Sequence, residues 1–222
     1  MTGSKQMLIS SNRLRTALLA LALVQSLAGG ALAQTDAPQP PPGPLPHGEK
    51  DGTLAVAGTY ALDPAHAGVM AYVSHLGFSR SVFRFDRVKG TLNWDPKAVA
   101  KSTLSIAVET ASITSNVEGF AKELAGEKYL NAQAHPQATF VATAFRQTDA
   151  AHGQVDGNFT LMGKTRPVTF DVTLIGAGPW FGGAYRMGVQ ARATINPQDY
   201  GLNQFFVDPI EIVVDTEFEK AP

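Results

Sequence analysis

The chain of 222 residues contains no cysteine. That excludes disulfides, a thiol nucleophile, thiolate metal sites and a lipid anchor attached through cysteine. The fold must therefore be held by its own core. An excess of charge of one sign is also missing, since the formal net charge is −1. Nucleic-acid binding needs clustered Lys and Arg, and the chain offers no such cluster beyond its first residues. After residue 33 no stretch approaches the roughly 20 apolar residues of a spanning helix. Histidine is scarce: His47, His66, His75, His135 and His152 are the five present. None forms a His-x-His or His-Glu-x-x-His metal pair, and no metal site is expected. Nor is there a phosphate loop. Gly163-Lys164-Thr165 joins two expected strands and has no helix whose N-terminus could receive an anion.

What is present begins with export. Lys5, Arg13 and Arg15 precede an apolar run from Ala17 to Val24 that continues through Leu27 and Ala28. Ala31-Leu32-Ala33 is a small-x-small cleavage site. This is the grammar of a signal peptide over residues 1–33, which places the product in the periplasm. Residues 34–222 keep all 19 acidic residues and 15 of the 18 basic ones, so the mature charge is −4. An acidic product disfavours adsorption to anionic lipid heads, and no stable membrane insertion is expected.

Residues 34–53 are expected to form a disordered tether. Six prolines between Pro38 and Pro46 favour extended, polyproline-like chain. One domain follows, over residues 54–220. It reads as strands. Val168, Phe170, Val172 and Leu174 alternate with polar residues, as do Val155, Gly157, Phe159 and Leu161. Leu104, Ile106 and Val108 repeat the pattern, and so do Ile210, Ile212, Val214 and Phe218. Residues 116–130 are expected to form a short helix, and Pro197–Tyr200 a single helical turn. Between Ser81 and Trp94 the apolar parity slips at Asp86-Arg87, as a β-bulge in a curved strand would require. Gly90 suits a tight bend in the same strand. Many antiparallel strands with few helices indicate an all-β barrel or sandwich, and the bulge favours the barrel.

Several stretches resemble the YceI-like family. Leu62-Asp-Pro-Ala-His-Ala followed by His75-Leu-Gly77 is similar to its opening Asp-x-x-His-Ser element and the strand ending His-Leu-Gly. Phe85-Asp-Arg-Val-Lys-Gly90 resembles its Phe-x-x-Phe-x-Gly hairpin. Ser112-Ile-Thr-Ser115 and His135-Pro-Gln-Ala-Thr-Phe140 match its next turn and strand. Gly157-Asn-Phe-Thr-Leu-Met-Gly-Lys-Thr-Arg-Pro-Val168 resembles a family hairpin, and Ile195-Asn-Pro-Gln-Asp-Tyr-Gly201 its closing box. There are departures. Ala67 stands in place of Ser, Pro197 in place of Arg and Tyr200 in place of Phe. Glu118-Gly119 occupies the place of an Arg-Asp pair, so two arginines that would favour a charged head group are missing. The resemblance implies an extended, antiparallel, lipocalin-like barrel of about eight strands with one or two short helices. It also implies an apolar ligand, a polyisoprenoid or quinone-type lipid, and no dedicated cofactor.

A long thin hydrocarbon needs few polar contacts, because each buried methylene contributes roughly 0.8 kcal/mol. Phe83, Phe85, Phe140, Phe159, Leu161, Phe170, Val189 and Ile195 are the candidate cavity wall. His66, His75 and Tyr200 are the candidate polar mouth. Strand alternation alone leaves open whether these residues line a cavity or fill a core. The leading expectation is an exported, non-enzymatic carrier or sequestering protein for an apolar lipid. A non-catalytic accessory module of a periplasmic stress or redox system is the alternative. An enzyme would need His66, His75 and His135 to converge at a barrel end. A homodimer stays open. N-terminal sequencing of the exported product is expected to read from Gln34, and an intact Met1 would reject the cleavage.

Overall fold

In a computed structural model of the protein, residues 43–202 and 208–221 are described. The expected signal peptide and the proline-rich part of the tether before residue 43 lie outside them. Ten strands form one antiparallel sheet: β1 Gly58–His75, β2 Ser79–Phe85, β3 Val88–Trp94, β4 Thr103–Glu109, β5 Ile113–Thr114, β6 Gln137–Gln147, β7 His152–Leu161, β8 Lys164–Pro179, β9 Tyr185–Ile195 and β10 Ile210–Lys220. Eight of them close a ring in the order β1-β10-β9-β8-β7-β6-β4-β3, and β3 returns to β1. The all-β, eight-stranded antiparallel barrel expected from the resemblance is thus formed.

Strand β1 makes the closure possible. One of its edges pairs with β10 from Ala61↔Glu219 to Tyr72↔Glu211. Its other edge pairs with β3 over Gly58–Ala61 and with β2 over Val69–His75. The slip expected at Asp86-Arg87 is a complete break, which divides the long strand into β2 and β3. β5 then pairs with the outer edge of β2, outside the ring.

The matching irregularity on β1 lies between Asp63 and Ala67, where three residues bulge from the ladder with β10. The buried parity changes there from Tyr60 and Leu62 to Ala67, Val69 and Val73. An odd number of inserted residues exchanges the faces of a strand, so each half of β1 keeps its apolar side inward. On the outside of the bulge Asp63 accepts hydrogen bonds from the Ala65 N–H at 2.9 Å and from Arg186 Nη1 at 2.9 Å, and it meets His66 Nδ1 at 2.8 Å. Arg186 also holds Glu217 and Glu219, and its guanidinium lies 4.6 Å from the centre of the Trp180 ring.

Inward glycines set the depth of the interior. A Cβ on Gly157 would fall 2.3 Å from Phe140 Cζ and 2.7 Å from the Val141 carbonyl oxygen. One on Gly90 would fall 2.3 Å from Ile106 Cδ1. Gly90 therefore yields space to the facing strand, a nearer reason for its presence than the expected bend. At the β7–β8 hairpin Met162 and Gly163 have φ of 50° and 71°, as a two-residue turn with both central residues left-handed requires.

Two expectations change. The helix expected over residues 116–130 is only α1, Phe120–Ala125. Gly119 at φ 76° precedes it and Gly126 ends it, so glycine confines the helix to six residues. Tyr129 and Leu130 are buried from the turn that follows. The turn expected at Pro197–Tyr200 is present, capped by Asn196, whose side chain accepts the Gln198 N–H at 3.1 Å. The tether expected to run to residue 53 ends earlier. Glu49 exchanges two backbone hydrogen bonds with Ala177, at 3.0 and 2.8 Å, and Ala55 is fully buried. Gly48 makes this docking possible, because a Cβ there would lie 3.1 Å from the Gly176 backbone.

Gly157→Ala is expected to cost about 1–3 kcal/mol, the range for forcing an extra methyl into a packed interior, read by denaturant unfolding. Loss of stability on acidification should follow Asp63. Burial raises its pKa, but hydrogen bonds from His66, the Ala65 N–H and Arg186 outweigh this and hold it below the ordinary 3.8. A carboxylate with a lowered folded-state pKa stabilises fully above the unfolded value and loses that contribution as pH falls through the folded one. Asp63→Asn should therefore flatten the pH dependence of unfolding free energy below pH 3.8. An unchanged slope would show that Asp63 carries none of it.

Candidate functional site: an apolar lumen with one polar rim

The barrel encloses two adjoining chambers of about 200 Å³ and about 110 Å³. Both are lined by Val69, Val108, Ala138, Phe159 and Ile212, which form a waist between them. These five residues come from β1, β4, β6, β7 and β10, so the waist exists only once the ring has closed.

All eight candidate wall residues face this space. Phe140, Phe170 and Val189 line the larger chamber; Phe83, Phe85, Leu161 and Ile195 line the smaller; Phe159 lines both. Phe140 and Phe170 meet edge to face with ring centres 5.0 Å apart. Phe159 packs edge-on against Tyr200 at 5.5 Å, and Phe83 tilts against Phe120 of α1 at 6.0 Å. Such offset contacts hold aromatic walls in place without filling the space between them.

The chain around α1 forms part of the wall of the smaller chamber. Thr110, Ile113, Leu124, Tyr129 and Leu130 line it and all are buried. Among the described residues no ionisable Asp, Glu, Lys, Arg or His side chain lines this chamber. Its hydroxyls are already engaged: Thr110 Oγ1 donates to the His135 carbonyl at 2.6 Å, and the Tyr129 hydroxyl donates to Glu123 at 3.3 Å. Burial pushes the Tyr129 hydroxyl pKa up, helped by Glu123, so it stays neutral.

The larger chamber reaches solvent at the opposite end. Gln147 at the end of β6, Asp149 in the turn and His152 at the start of β7, all exposed, stand at its edge. Asp149 accepts the Ala151 N–H at 2.8 Å and the His152 N–H at 2.9 Å, and it meets His152 Nδ1 at 2.9 Å. The Ala151 hydrogen bond, followed by the contact with His152, lowers the Asp149 pKa, so a fixed negative charge marks the rim.

The candidate polar mouth is not assembled from His66, His75 and Tyr200. His66 is exposed on the outer face of the β1 bulge, because the three inserted residues carry it away from the lumen. His75 is exposed where β1 ends, roughly 30 Å further along the strand at the usual rise per residue. Tyr200 is 1% exposed and packs behind Phe159, and burial raises its pKa. His135 lies against the β7–β8 hairpin, where a Cβ on Gly163 would be 3.1 Å from its Cε1. That hairpin belongs to strands on the opposite side of the ring from β1. The three histidines required by the enzymatic alternative therefore do not converge. The rim residues were missed because 147–152 reads as a plain turn. A turn signal identifies a chain reversal and carries no information about what lies beneath it.

One cluster on the outer face has metal-ligand chemistry. Atoms of Asp63, His66 and Glu217 lie within 4.8 Å of one another. Arg186 occupies this position as a counter-charge to both carboxylates, so an ion pair already accounts for the cluster. Among the described residues no helix is long and apolar enough to cross a membrane.

Residues 60–218 match the model of the YceI-like domain. A UPF0312 protein of Pseudomonas putida (strain W619) is 37% identical over 152 residues, covering 67% of this chain and 78% of that protein. The crystal structure of Burkholderia cenocepacia BcnA superposes with a TM-score of 0.61 at 21% identity, over 72% of this chain and 99% of that one. A polyisoprenoid binding domain from Saccharophagus degradans, implicated in plant cell wall breakdown, superposes with a TM-score of 0.53 at 13% identity, over 73% and 98% of the two chains. With its lumen built from the same barrel, this chain belongs to the YceI-like family.

Proposed function

We propose that the protein binds a long-chain apolar lipid, of polyisoprenoid or quinone type, inside the barrel and acts as an exported carrier or sequestering protein. The observation that carries this reading is the two-chambered lumen, whose lining among the described residues is almost wholly apolar, with polar groups at the rim of the larger chamber. A filled core would give a scaffold, whereas two adjoining apolar chambers that share a waist of side chains suit a thin, bendable chain. The hydrocarbon supplies the affinity, since each methylene removed from water contributes roughly 0.8 kcal/mol. A polar head would rest at the rim beside Gln147, Asp149 and His152. The negative charge of Asp149, with Arg146 in the chamber wall already paired to Asp156, favours an uncharged head over a phosphate. The structural neighbour described as polyisoprenoid-binding supports the ligand class. Export rests on the leader read in residues 1–33, and the absence of a catalytic assignment rests on the dispersed histidines.

The accessory-module reading retains one observation. Leu76 and Phe78 are 81% and 88% exposed at the turn between β1 and β2. Serine at both positions should leave lipid content unaltered if that turn serves a partner rather than loading of the lumen.

Purification from the native host without denaturant, followed by mass spectrometry of the organic phase, is expected to recover a prenyl lipid. Ala138→Phe places a ring in the waist and is expected to reduce recovery of long chains by about tenfold or more, at a folding cost of about 1–3 kcal/mol. Recovery of no lipid from the wild-type protein would overturn the reading.

A further inference from the structure

The larger chamber contains one hydrogen-bonding group that the apolar reading leaves unused. Trp94 ends β3, opposite Gly58, and its indole forms part of the chamber wall near Gly52, Val99 and Leu174. Its Nε1 is buried and has no hydrogen-bond partner among the described residues. Buried tryptophan N–H groups usually find an acceptor, because leaving one unmade forfeits the hydration it had in the unfolded chain. Here the neighbouring side chains supply none, and phenylalanine would have filled the same wall without the penalty.

The position gives the donor a use. It lies on the side of the waist that opens to the rim, so it adjoins the part of the lumen where the head of a threaded lipid would sit. The indole is part of the lining of this chamber. A single neutral donor in an apolar wall selects for a single neutral acceptor. It does not compensate a phosphate or carboxylate, whose desolvation is several times more costly and needs paired cations.

We infer that Trp94 is a specificity-determining residue, whose indole N–H donates to a carbonyl, hydroxyl or ether oxygen at the head of the bound lipid. The lumen then prefers an oxygen-bearing prenyl lipid, of which a quinone is the type, to a pure hydrocarbon of similar length. The inference rests on the lipid-binding reading proposed above and deepens it.

The test compares two probes, a polyprenyl benzoquinone and squalene, a prenyl hydrocarbon without oxygen. The protein has two tryptophans. Trp180→Phe, on the outer face, leaves Trp94 as the sole indole, and affinities are measured by competition against a fluorescent fatty probe. Trp94→Phe is expected to lower the ratio of quinone to squalene affinity about tenfold, the worth of one hydrogen bond. A ratio unchanged within about threefold, with both probes bound, overturns the inference and leaves the lipid-binding reading standing. Failure of the unsubstituted lumen to take either probe overturns both. Should Trp94→Phe not fold, ultraviolet resonance Raman of the Trp180→Phe protein decides. Its indole band is expected to move towards the hydrogen-bonded position on adding the quinone and to stay in place with squalene. An unmoved band with quinone bound overturns the inference.

Discussion

The structure depends on one strand serving three partners. β1 gives a full edge to β10 and divides its other edge between β3 and β2. Without the β10 pairing the sheet would be open, with two unpaired edges and an apolar face exposed to water. Closure satisfies those backbone groups and turns the apolar face into an interior in a single step. The 18 residues of β1 are long enough for this only because the strand changes parity midway. A regular strand of that length could not keep its apolar side inward along both halves of the barrel.

The bulge that permits the change has its own support. Asp63 turns its carboxylate back onto the Ala65 N–H, and Arg186 ties it to Glu217 and Glu219 of β10. Three inserted residues lose their ladder bonds, and this network supplies replacements on the outside. The Asp-x-x-His element recognised in the sequence is therefore structural. It shapes the corner of a curved strand and takes no part in the lumen. Its histidine is a hydrogen-bond partner of Asp63, and it is exposed on the outer face.

Inside, the balance between cavity and core is set by which side chains are small. Gly90 and Gly157 let Ile106 and Phe140 lie flat across the neighbouring strand. Ala138 and Ala71 keep the waist and the smaller chamber from filling. The aromatic walls meet edge to face and brace one another across the space. Among the described residues, the end near α1 is lined by buried apolar side chains, and the end near the β6–β7 turn carries polar groups. The lumen thus has a direction, and the unpaired Trp94 donor lies on its rimward side.

Much of this was legible along the chain. Period-two alternation located most of the strands, because each strand has one wet and one dry face whatever its partners. The same alternation placed Phe83, Phe85, Phe140, Phe159, Leu161, Phe170, Val189 and Ile195 on the dry face. The parity slip at Asp86-Arg87 marked the break between β2 and β3, since a local change of face leaves its trace in neighbouring residues. Residues 116–130 carried enough apolar periodicity for a helix, but the two glycines that shorten it act through backbone geometry. Pairing was not legible. Which edge of β1 meets β10 is decided by contacts between residues more than a hundred positions apart, such as Ala61 and Glu219, and where its two halves divide between β2 and β3 by contacts between separate strands. For the same reason the polar mouth expected at His66, His75 and Tyr200 gave way to a rim at Gln147, Asp149 and His152. The sequence by itself determined the faces of the strands and the character of the wall, because burial is a property of each residue. Only the tertiary structure decided that the wall surrounds space and which residues border its rim, because closure brings distant strands together.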